Sequence, residues 1–321
     1  MLRIHFTAED LARTRFAAAP DPLWETVLSL HQLRARTGAT AFGAWRRTVL
    51  PRLDGPLGGQ VRMLTTVVPA TGGFPDFLTP YTRPELAAGL SAIAATPTDR
   101  LRDDIRLLAA ARSVPKWLGS IGDGNRDALM SLCAAVRDYH KTALAPYWPR
   151  ITATVLAERA RRARPVLDGG MEALLSSFQP MMRWQYPVLE VEYPRDREVR
   201  LEGRGLLLIP SYFCWGKPVA LVDPALPQVL VYPAQQDDPG DDRAAPSLDQ
   251  LLGRTRAAIL AALDSGGSTG DLAARTAVSP ATASEHLAVL RRAGLATSRR
   301  HRNTVAHTIT PLGEALIAEA G

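Results

Sequence analysis

One stretch decides how the end of this chain folds: Val278-Ser-Pro-Ala-Thr-Ala-Ser-Glu-His-Leu-Ala-Val-Leu-Arg-Arg-Ala-Gly-Leu295. Ser279 followed by Pro280 predicts a helix start. The serine hydroxyl can cap the first turn, and proline at the first helical position gives up an N–H that has no partner there. Apolar residues at helical spacing predict one buried face, formed by Ala283, Leu287 and Leu290. Gly294 after two arginines predicts the end of this helix.

The residues before this stretch predict two more helices. Ser247-Leu-Asp-Gln250 and Ser268-Thr-Gly-Asp271 both have the spacing of a capping box, in which a serine and an acid or amide three residues later satisfy each other's backbone N–H groups. The first is followed by leucines that extend one helix to Leu263. The link Thr276-Ala-Val278 is short enough for the turn between two crossing helices.

The residues after this stretch predict a hairpin and a last helix. Residues 295–299 and 304–309 alternate apolar and polar side chains, as strands do, and 300–303 form a basic turn between them. Thr310-Pro311 opens a helix over 312–320. The order helix, helix, helix, hairpin, helix is that of a winged helix-turn-helix, in which the third helix is the recognition helix and the hairpin is the wing.

Positive charge is concentrated in this predicted recognition helix and wing. Between Pro280 and Asn303 there are five arginines and one acid, Glu285, whereas 247–321 as a whole has eight arginines against six acids. A local excess of arginine is the electrostatic footprint of phosphate binding. Topology and charge together predict contact with DNA, against the alternative of an ordinary solvated hairpin.

The stretch 278–295 resembles the recognition helix of ArsR-type transcriptional regulators, whose pattern runs Ser-x-x-x-(small)-Ser-x-His-Leu-x-x-Leu-x-x-Ala-Gly-Leu. The resemblance implies that helix 279–293 enters the major groove of double-stranded DNA and that wing 295–309 lies on the flanking backbone. Glu285 departs from the basic or amide residue usual at its position. A carboxylate can accept from cytosine N4, so this departure changes the expected sequence preference. The expected DNA-binding residues are Ser279, Pro280, Ala281, Thr282, Ser284, Glu285, His286, Arg291, Arg292, Arg299, Arg300 and Arg302.

Residues 234–246 separate this module from the rest of the chain. They are rich in Asp, Pro and Gly and hold no aliphatic side chain larger than alanine, so they cannot contribute to a core. We expect an N-terminal domain over 1–233, a linker over 234–246 and the winged module over 247–321. The predicted fold class is α+β: a helical N-terminal domain with a short-stranded sheet, plus the winged helix-turn-helix.

The N-terminal part reads as mixed helix and strand. Strands are predicted over 2–6 and, after 188, in short segments cut by prolines; helices are predicted over 22–36, 127–144 and 151–164. Thr82 and Thr98 are expected to cap two further helices. The arginines near 159–164 are expected to end their helix, where cations complement the helix dipole. Gly119-Ser-Ile-Gly-Asp-Gly124 is interpreted as a loop.

This larger part resembles the long N-terminal domain attached to such modules in some actinobacterial regulators, and the resemblance implies no biochemical activity. One group of aromatic and methionine side chains could line a ligand cavity or belong to a core: Trp148, Met171, Phe178, Met181, Met182, Trp184, Tyr186, Tyr212, Phe213 and Trp215. The core is favoured.

Composition and missing motifs exclude several classes of function. Cys133 and Cys214 cannot form a disulfide scaffold or a four-cysteine zinc site. The stretches where ArsR-type metal sensors carry ligands, 270–276 and 312–320, hold no Cys or His, so no metal or cofactor is expected. His5, His31 and His140 have no evident catalytic companion in the sequence, and catalytic motifs are absent, so no enzyme is expected.

Three hypotheses follow. The leading one is a cytoplasmic transcriptional repressor that acts as a homodimer, because one winged helix reads only a short half-site. The second makes the N-terminal domain a sensor whose small apolar effector favours one dimer geometry. The third is an enzyme tethered to a DNA-binding module. A net charge of +6, with a pI of about 9.7, fits a polyanionic partner, and no stretch predicts a membrane span or a signal peptide.

Overall fold

The computed structural model describes residues 1–35, 39–69, 72–80, 85–194, 196–221, 223, 226–234, 248–263, 266–301 and 304–320. The chain divides into two compact units, Met1–Pro239 and Gly240–Gly321. Both units contain helices and strands, so the predicted α+β class is confirmed. The boundaries predicted for the linker, 234–246, stay predictions, because all but its first residue lies outside the described part of the chain.

Helices dominate the first unit. They are α1 Ala8–Arg13, α2 Pro22–Arg34, α3 Ala39–Leu53, α4 Gly58–Val67, α5 Leu86–Ala94, α6 Thr98–Ala111, α7 Lys116–Gly122, α8 Arg126–Tyr139 and α9 Trp148–Ser176. A π-helical turn, His140–Leu144, and a 3-10 turn, Ala145–Tyr147, join α8 to α9, and Asp76–Leu78 forms another 3-10 turn. Helix α2 starts where the Asp21 carboxylate accepts from the amides of Leu23 and Trp24.

Two small sheets complete this unit. Their strands are β1 Leu2–His5, β2 Arg15–Phe16, β3 Met182–Gln185, β4 Val188–Val191, β5 Arg197–Arg200, β6 Leu207–Ser211, β7 Val219–Ala220 and β8 Val229–Pro233. The first sheet has the order β3-β4-β1-β5 and the second the order β2-β6-β8-β7. In the second sheet β2, β6 and β8 run parallel, and β7 pairs with β8 in the antiparallel sense.

The second sheet is buried on both faces. Leu207, Ile209 and Val231 pack into a core made with helices α2 to α8, whereas Leu208 and Tyr232 pack into a second core with the first sheet and the end of α9. This division follows from the two-residue period of a strand, which sends neighbouring side chains to opposite faces. It explains why these strands read as continuous apolar runs in the sequence.

The aromatic group considered for a ligand cavity is mainly core. Phe178, Met182 and Trp184 are buried in the core of the first sheet, and Tyr212 and Phe213 in the helical core. Met171, Met181 and Trp148 pack against these clusters, while Tyr186 and Trp215 are exposed. The group is therefore divided between two cores and does not form one site.

The arginine-rich segment near 159–164 lies before the last turn of its helix, so the predicted helix end is a few residues too early. Helical backbone is interrupted at Gly169 and Gly170, and a second helical stretch within α9 follows to Ser176. Arg161 and Arg162 pair with the buried carboxylate of Glu158, one turn back. These arginines neutralise a buried acid on the same helix, and sequence alone does not show that the acid is buried.

Three local predictions also change. Thr98 is the first residue of α6 rather than its cap, which is Pro97. Residues 119–122 belong to α7 rather than a loop, and Gly122 lies against the Arg102 backbone of α6, where its missing side chain allows close approach. His5 gains a carboxylate partner, Glu198, because β1 and β5 pair. The cap predicted at Thr82 lies outside the described residues.

The second unit contains α10 Leu248–Leu252, α11 Arg254–Ala262, β9 Gly267–Ser268, α12 Thr269–Arg275, α13 Pro280–Arg292, β10 Ala296–His301, β11 Thr304–Ile309 and α14 Pro311–Ala320. The helix predicted from 248 to 263 is broken at Gly253, whose φ is +80°. The cap predicted at Ser247 lies outside the described residues. The sheet order is β10-β11-β9, so the predicted hairpin gains a short third strand.

Candidate nucleic-acid interface

Helix α13 begins as the sequence predicts. The Ser279 hydroxyl accepts from the Thr282 amide at 3.1 Å, and Pro280 occupies the first helical position. The predicted inner face, Ala283, Leu287 and Leu290, is buried in the core that α11, α12 and α13 share. Burial of this stripe fixes the rotation of the helix and so decides which side chains face solvent.

The end of α13 is a Schellman motif. The Leu295 amide donates to the Leu290 carbonyl at 2.9 Å, and the Gly294 amide donates to the Arg291 carbonyl at 3.0 Å. Gly294 has a φ of +73°, a conformation that glycine adopts without strain. The turn leads directly into β10, so it sets where the wing begins relative to the recognition helix.

The turn between α12 and α13 uses the same motif with an alanine in place of glycine. The Val278 amide donates to the Ala273 carbonyl at 3.0 Å, and Ala277 has a φ of +54°. Sequence reasoning placed this turn from its length alone. The α12 start before it is the predicted capping box, in which Ser268 and Asp271 satisfy each other's backbone amides.

The outer face of α13 is a continuous strip of exposed residues. Small side chains and one carboxylate precede two cations in its last turn. The strip consists of Pro280, Ala281, Ser284, Glu285, Ala288, Arg291 and Arg292. Thr282 and His286 are half-buried beside the strip. Small residues let a helix backbone approach a groove floor, hydroxyl and carboxylate groups can meet base edges, and arginines can bind phosphates.

The wing is a regular antiparallel hairpin of β10 and β11, with Arg299 opposite Ala306 and Arg300 opposite Val305. Strand β10 continues through His301, so Arg300 and His301 belong to the strand rather than to the predicted turn. Arg302 and Asn303 lie outside the described residues. The backbone of Arg299 and Arg300 therefore lies in the wing strand, and their role in binding stays a prediction.

His307 joins the wing to the start of α12, a role that sequence reasoning did not assign. Its side chain is buried, with Nδ1 2.7 Å from the Ser298 hydroxyl and Nε2 3.0 Å from the Thr269 hydroxyl. Burial lowers the pKa of His307, and the nearby Arg291 guanidinium lowers it further. Both hydroxyls stand in the printed sequence, but only the pairing of the strands brings them to one imidazole.

Arg275 is another structural cation that could be mistaken for a phosphate ligand. Its Nη1 donates to the Ala262 carbonyl at 3.0 Å, and its Nη2 donates to the Gly266 carbonyl. It ties the end of α12 to the end of α11. Arg291 and Arg292 differ from Arg275 in that both are exposed on the outer strip of α13.

The packing of α11 and α12 against α13, the capped start of α13 and the β10–β11 hairpin define the second unit as a winged helix-turn-helix domain, a fold that binds DNA through the helix that α13 represents here. Comparison with protein families agrees, since residues 251–299 match the model of a helix-turn-helix domain. This match ends within β10 and covers neither the rest of the wing nor the first unit. No curated protein and no solved structure matches the chain.

None of the helices in the described part of the chain is long and apolar enough to cross a membrane. Across the same residues, no group of three or more His, Cys, Asp or Glu side chains is placed to hold a metal ion. Both cysteines are free and buried, and Cys214 lies against backbone carbonyls.

Proposed function

We propose that this protein is a sequence-specific DNA-binding transcriptional regulator of the ArsR type that acts as a homodimeric repressor. The exposed strip of α13 carries the proposal, since it places small and polar side chains beside two arginines on one helix face. Helix 279–293 enters the major groove, and wing 295–309 follows the flanking backbone. The proposal assigns the chain no enzymatic activity.

The two ends of the strip have different tasks in this proposal. Arg291 and Arg292, in the last turn of α13, bind phosphates and contribute affinity without reading sequence. Ser284 and Glu285 face base edges, where a carboxylate accepts from the amino group of cytosine. The small Ala281 and Ala288 keep the helix close to the groove floor.

The phosphate role is tested by fluorescence anisotropy on duplexes from the upstream region of the protein's own gene. We expect Arg291→Gln and Arg292→Gln each to weaken binding by the same factor on every duplex sequence. Each should also reduce the slope of log affinity against log salt concentration by about one. Arg164→Gln is the matched control, because it removes the same charge from an exposed position in the first unit. Equal weakening by the control would contradict a localised interface.

The base-reading role is tested by selecting binding sites from a random duplex library. We expect Glu285→Gln to replace a preferred cytosine by adenine, because glutamine pairs with adenine where glutamate accepts from cytosine. The change should be worth about 1–3 kcal/mol at a single base position and leave the salt dependence unchanged. A uniform loss of affinity without altered preference would place Glu285 outside the groove.

The sensor alternative, with a small apolar effector in the first unit, has less support. The aromatic side chains considered for such a cavity are mostly buried in two separate cores.

The repressor role is tested with a reporter gene placed behind the bound promoter. Expression of the reporter should rise when the gene for this protein is deleted.

A further inference from the structure

Burial along the inner face of the wing hairpin stops at one pair of residues. The strand register places three pairs on this face, in order from the base of the hairpin: Ala296 with Ile309, Ser298 with His307 and Arg300 with Val305. The first pair packs in the core of the unit, and His307 is 4% exposed, whereas Val305 is 40% exposed. In the described part of the hairpin, the body of the unit therefore supports β11 as far as His307.

Backbone pairing holds the wing along one edge. Strand β9 contributes two residues to this pairing, with Ser268 opposite Ala306 and Gly267 opposite His307. Hydrogen bonds in the plane of so short a sheet fix where the edge of the hairpin lies, but they constrain its tilt about that edge only weakly. Gly266 and Gly267 have φ of +60° and +149°, so the segment that carries this edge has no side chain to stiffen it.

The side chain of His307 supplies a contact out of the plane of this edge. Side chains stand roughly perpendicular to a sheet, and this imidazole reaches from β11 to the first residue of α12, where its Nε2 lies 3.0 Å from the Thr269 hydroxyl. Its Nδ1 lies 2.7 Å from the Ser298 hydroxyl of the paired strand. A contact away from the edge fixes the angle between hairpin and helix, which the edge pairing leaves open.

Both ring nitrogens have partners in the neutral ring. One nitrogen of a neutral imidazole donates and the other accepts, and a hydroxyl can do either, so both contacts are hydrogen bonds in either tautomer. Burial and the Arg291 guanidinium, in the last turn of α13, lower the pKa of His307 and so favour the neutral form. The ring therefore lies where the wing, the start of α12 and the end of α13 meet.

We propose that His307 is a positioning residue for DNA binding, which fixes through Thr269 the angle at which the wing follows the flanking DNA backbone. The inference rests on the proposed function, in which α13 enters the major groove and the wing lies beside it. His307 does not itself touch DNA in this proposal. Helix α12 packs against α13 in one core, so a wing fixed on α12 is also fixed relative to the helix that reads the bases.

The contact with Thr269 acts by organising the wing before DNA arrives. A hairpin that is already held at the binding angle loses less conformational freedom when it meets the duplex. Without this hydrogen bond, that freedom is lost only on binding, and the affinity falls. The fall is limited by the net strength of one hydrogen bond, which corresponds to about two- to tenfold in affinity.

The test measures binding of the full chain to two duplexes by fluorescence anisotropy. One duplex is the operator obtained by binding-site selection, and the other is the same operator shortened by the flanking base pairs that the wing protects in footprinting. We expect Thr269→Val, which keeps the shape of the side chain and removes its hydroxyl, to weaken binding of the long duplex by about two- to tenfold. Binding of the short duplex should be unchanged, because the wing has no backbone to follow there.

Two substitutions at His307 separate its two contacts. The side-chain amide of glutamine takes the place of Nε2, and that of asparagine takes the place of Nδ1. His307→Gln should therefore keep the contact with Thr269 and bind both duplexes like the wild type. His307→Asn should keep only the contact with Ser298 and show the loss on the long duplex.

Thr276→Val is the matched control for Thr269→Val. It makes the same substitution at the other end of α12, where the hydroxyl donates to the Leu272 carbonyl at 2.7 Å within the helix. We expect this control to bind both duplexes like the wild type. Thermal melting followed by circular dichroism shows whether each variant is folded, and if His307→Asn unfolds, Thr269→Val and His307→Gln decide the question.

Three results would overturn the inference and leave the proposed DNA-binding function intact. The first is equal affinity of the wild-type chain for the long and the short duplex. The second is equal weakening by Thr269→Val on both duplexes, which would make the contact a general support of the fold. The third is the same length-dependent loss in Thr276→Val. If the wild-type chain binds no duplex at all, the proposed function itself fails, and this inference fails with it.

Discussion

At the scale of single residues, two positions with left-handed backbone shape the turns of the second unit. Ala277 and Gly294 occupy the same position in two Schellman motifs, one after α12 and one after α13. Glycine tolerates this conformation, whereas an L side chain crowds its own carbonyl there. The two turns therefore differ in strain although their hydrogen bonds are alike.

This difference predicts opposite effects of exchanging the two residue types. Gly294→Ala should lower the free energy of unfolding of the second unit by about 1 kcal/mol, since a Cβ there meets no close neighbour and only backbone strain is added. Ala277→Gly should raise it by up to about 1 kcal/mol as strain is relieved. Hydrogen exchange of amides in α12 and α13 measures both. Effects of the same sign would contradict this account.

A buried carboxylate holds α2 to the end of β6. Glu25 accepts from the amides of Tyr212 at 2.8 Å and Phe213 at 3.0 Å and from the Ser211 hydroxyl at 3.0 Å. Burial raises the pKa of Glu25 to about 7, although these three bonds act in the opposite direction. The folded chain therefore favours the protonated form more than the unfolded chain does.

The raised pKa predicts a pH dependence of stability. The contribution of Glu25 is fully present below its ordinary pKa of 4.5 and is lost as the pH rises through about 7. Glu25→Gln should remove this loss, so the difference in unfolding free energy between variant and wild type should change between pH 4.5 and pH 8 in urea titrations. The control Glu85→Gln, at an exposed glutamate, should show a constant difference.

At the scale of elements, His307 connects the wing to α12. Its two ring nitrogens contact hydroxyls from β10 and from the first residue of α12, so hairpin and helix share one buried side chain. Burial lowers its pKa, which means that the fold favours the neutral ring. This part of the stability is present above the ordinary pKa of 6.5 and is lost as the pH falls below 6.5 and through the lowered pKa of the folded state.

Acidification should therefore loosen the wing hairpin and its contact with α12. We expect amides of β10, β11 and α12 to exchange faster at pH 5.5 than at pH 7.5, after correction for intrinsic rates, and less so in His307→Gln. Hydrogen exchange is the suitable measurement, because residues 248–321 contain no Trp, Tyr or Phe to report unfolding by fluorescence. His286→Gln, a half-buried histidine outside this bridge, is the control, and an identical response in both variants would contradict the account.

At the scale of the whole molecule, the proposed regulator needs two copies of its DNA-reading unit. We expect light scattering to give twice the chain mass of 34.8 kDa and footprinting to show two half-sites about 10 base pairs apart. The physical reason is that one recognition helix contacts too few bases to select a promoter. A monomer that protects a single half-site would contradict the dimer and leave the interface on α13 unaffected.

The local features of the second unit could be predicted from the order of its residues. Ser279-Pro280, the Ser268 capping box, the Ala283-Leu287-Leu290 stripe and Gly294 are each specified by neighbours within four residues, and all four have the predicted structure. Short-range hydrogen bonds and helical periodicity decide such features, so the chain order alone carries them. The family match at 251–299 rests on the same residues.

Features that depend on partners distant in the chain arise from the tertiary fold and could not be predicted. Glu158 is 1% exposed, and its burial turns predicted helix-end arginines into its ion-pair partners within α9. His5 contacts Glu198, and His307 contacts Thr269, because strands that are distant in the chain pair with each other. Burial and strand pairing are properties of the assembled core, so no local pattern of residues could predict them.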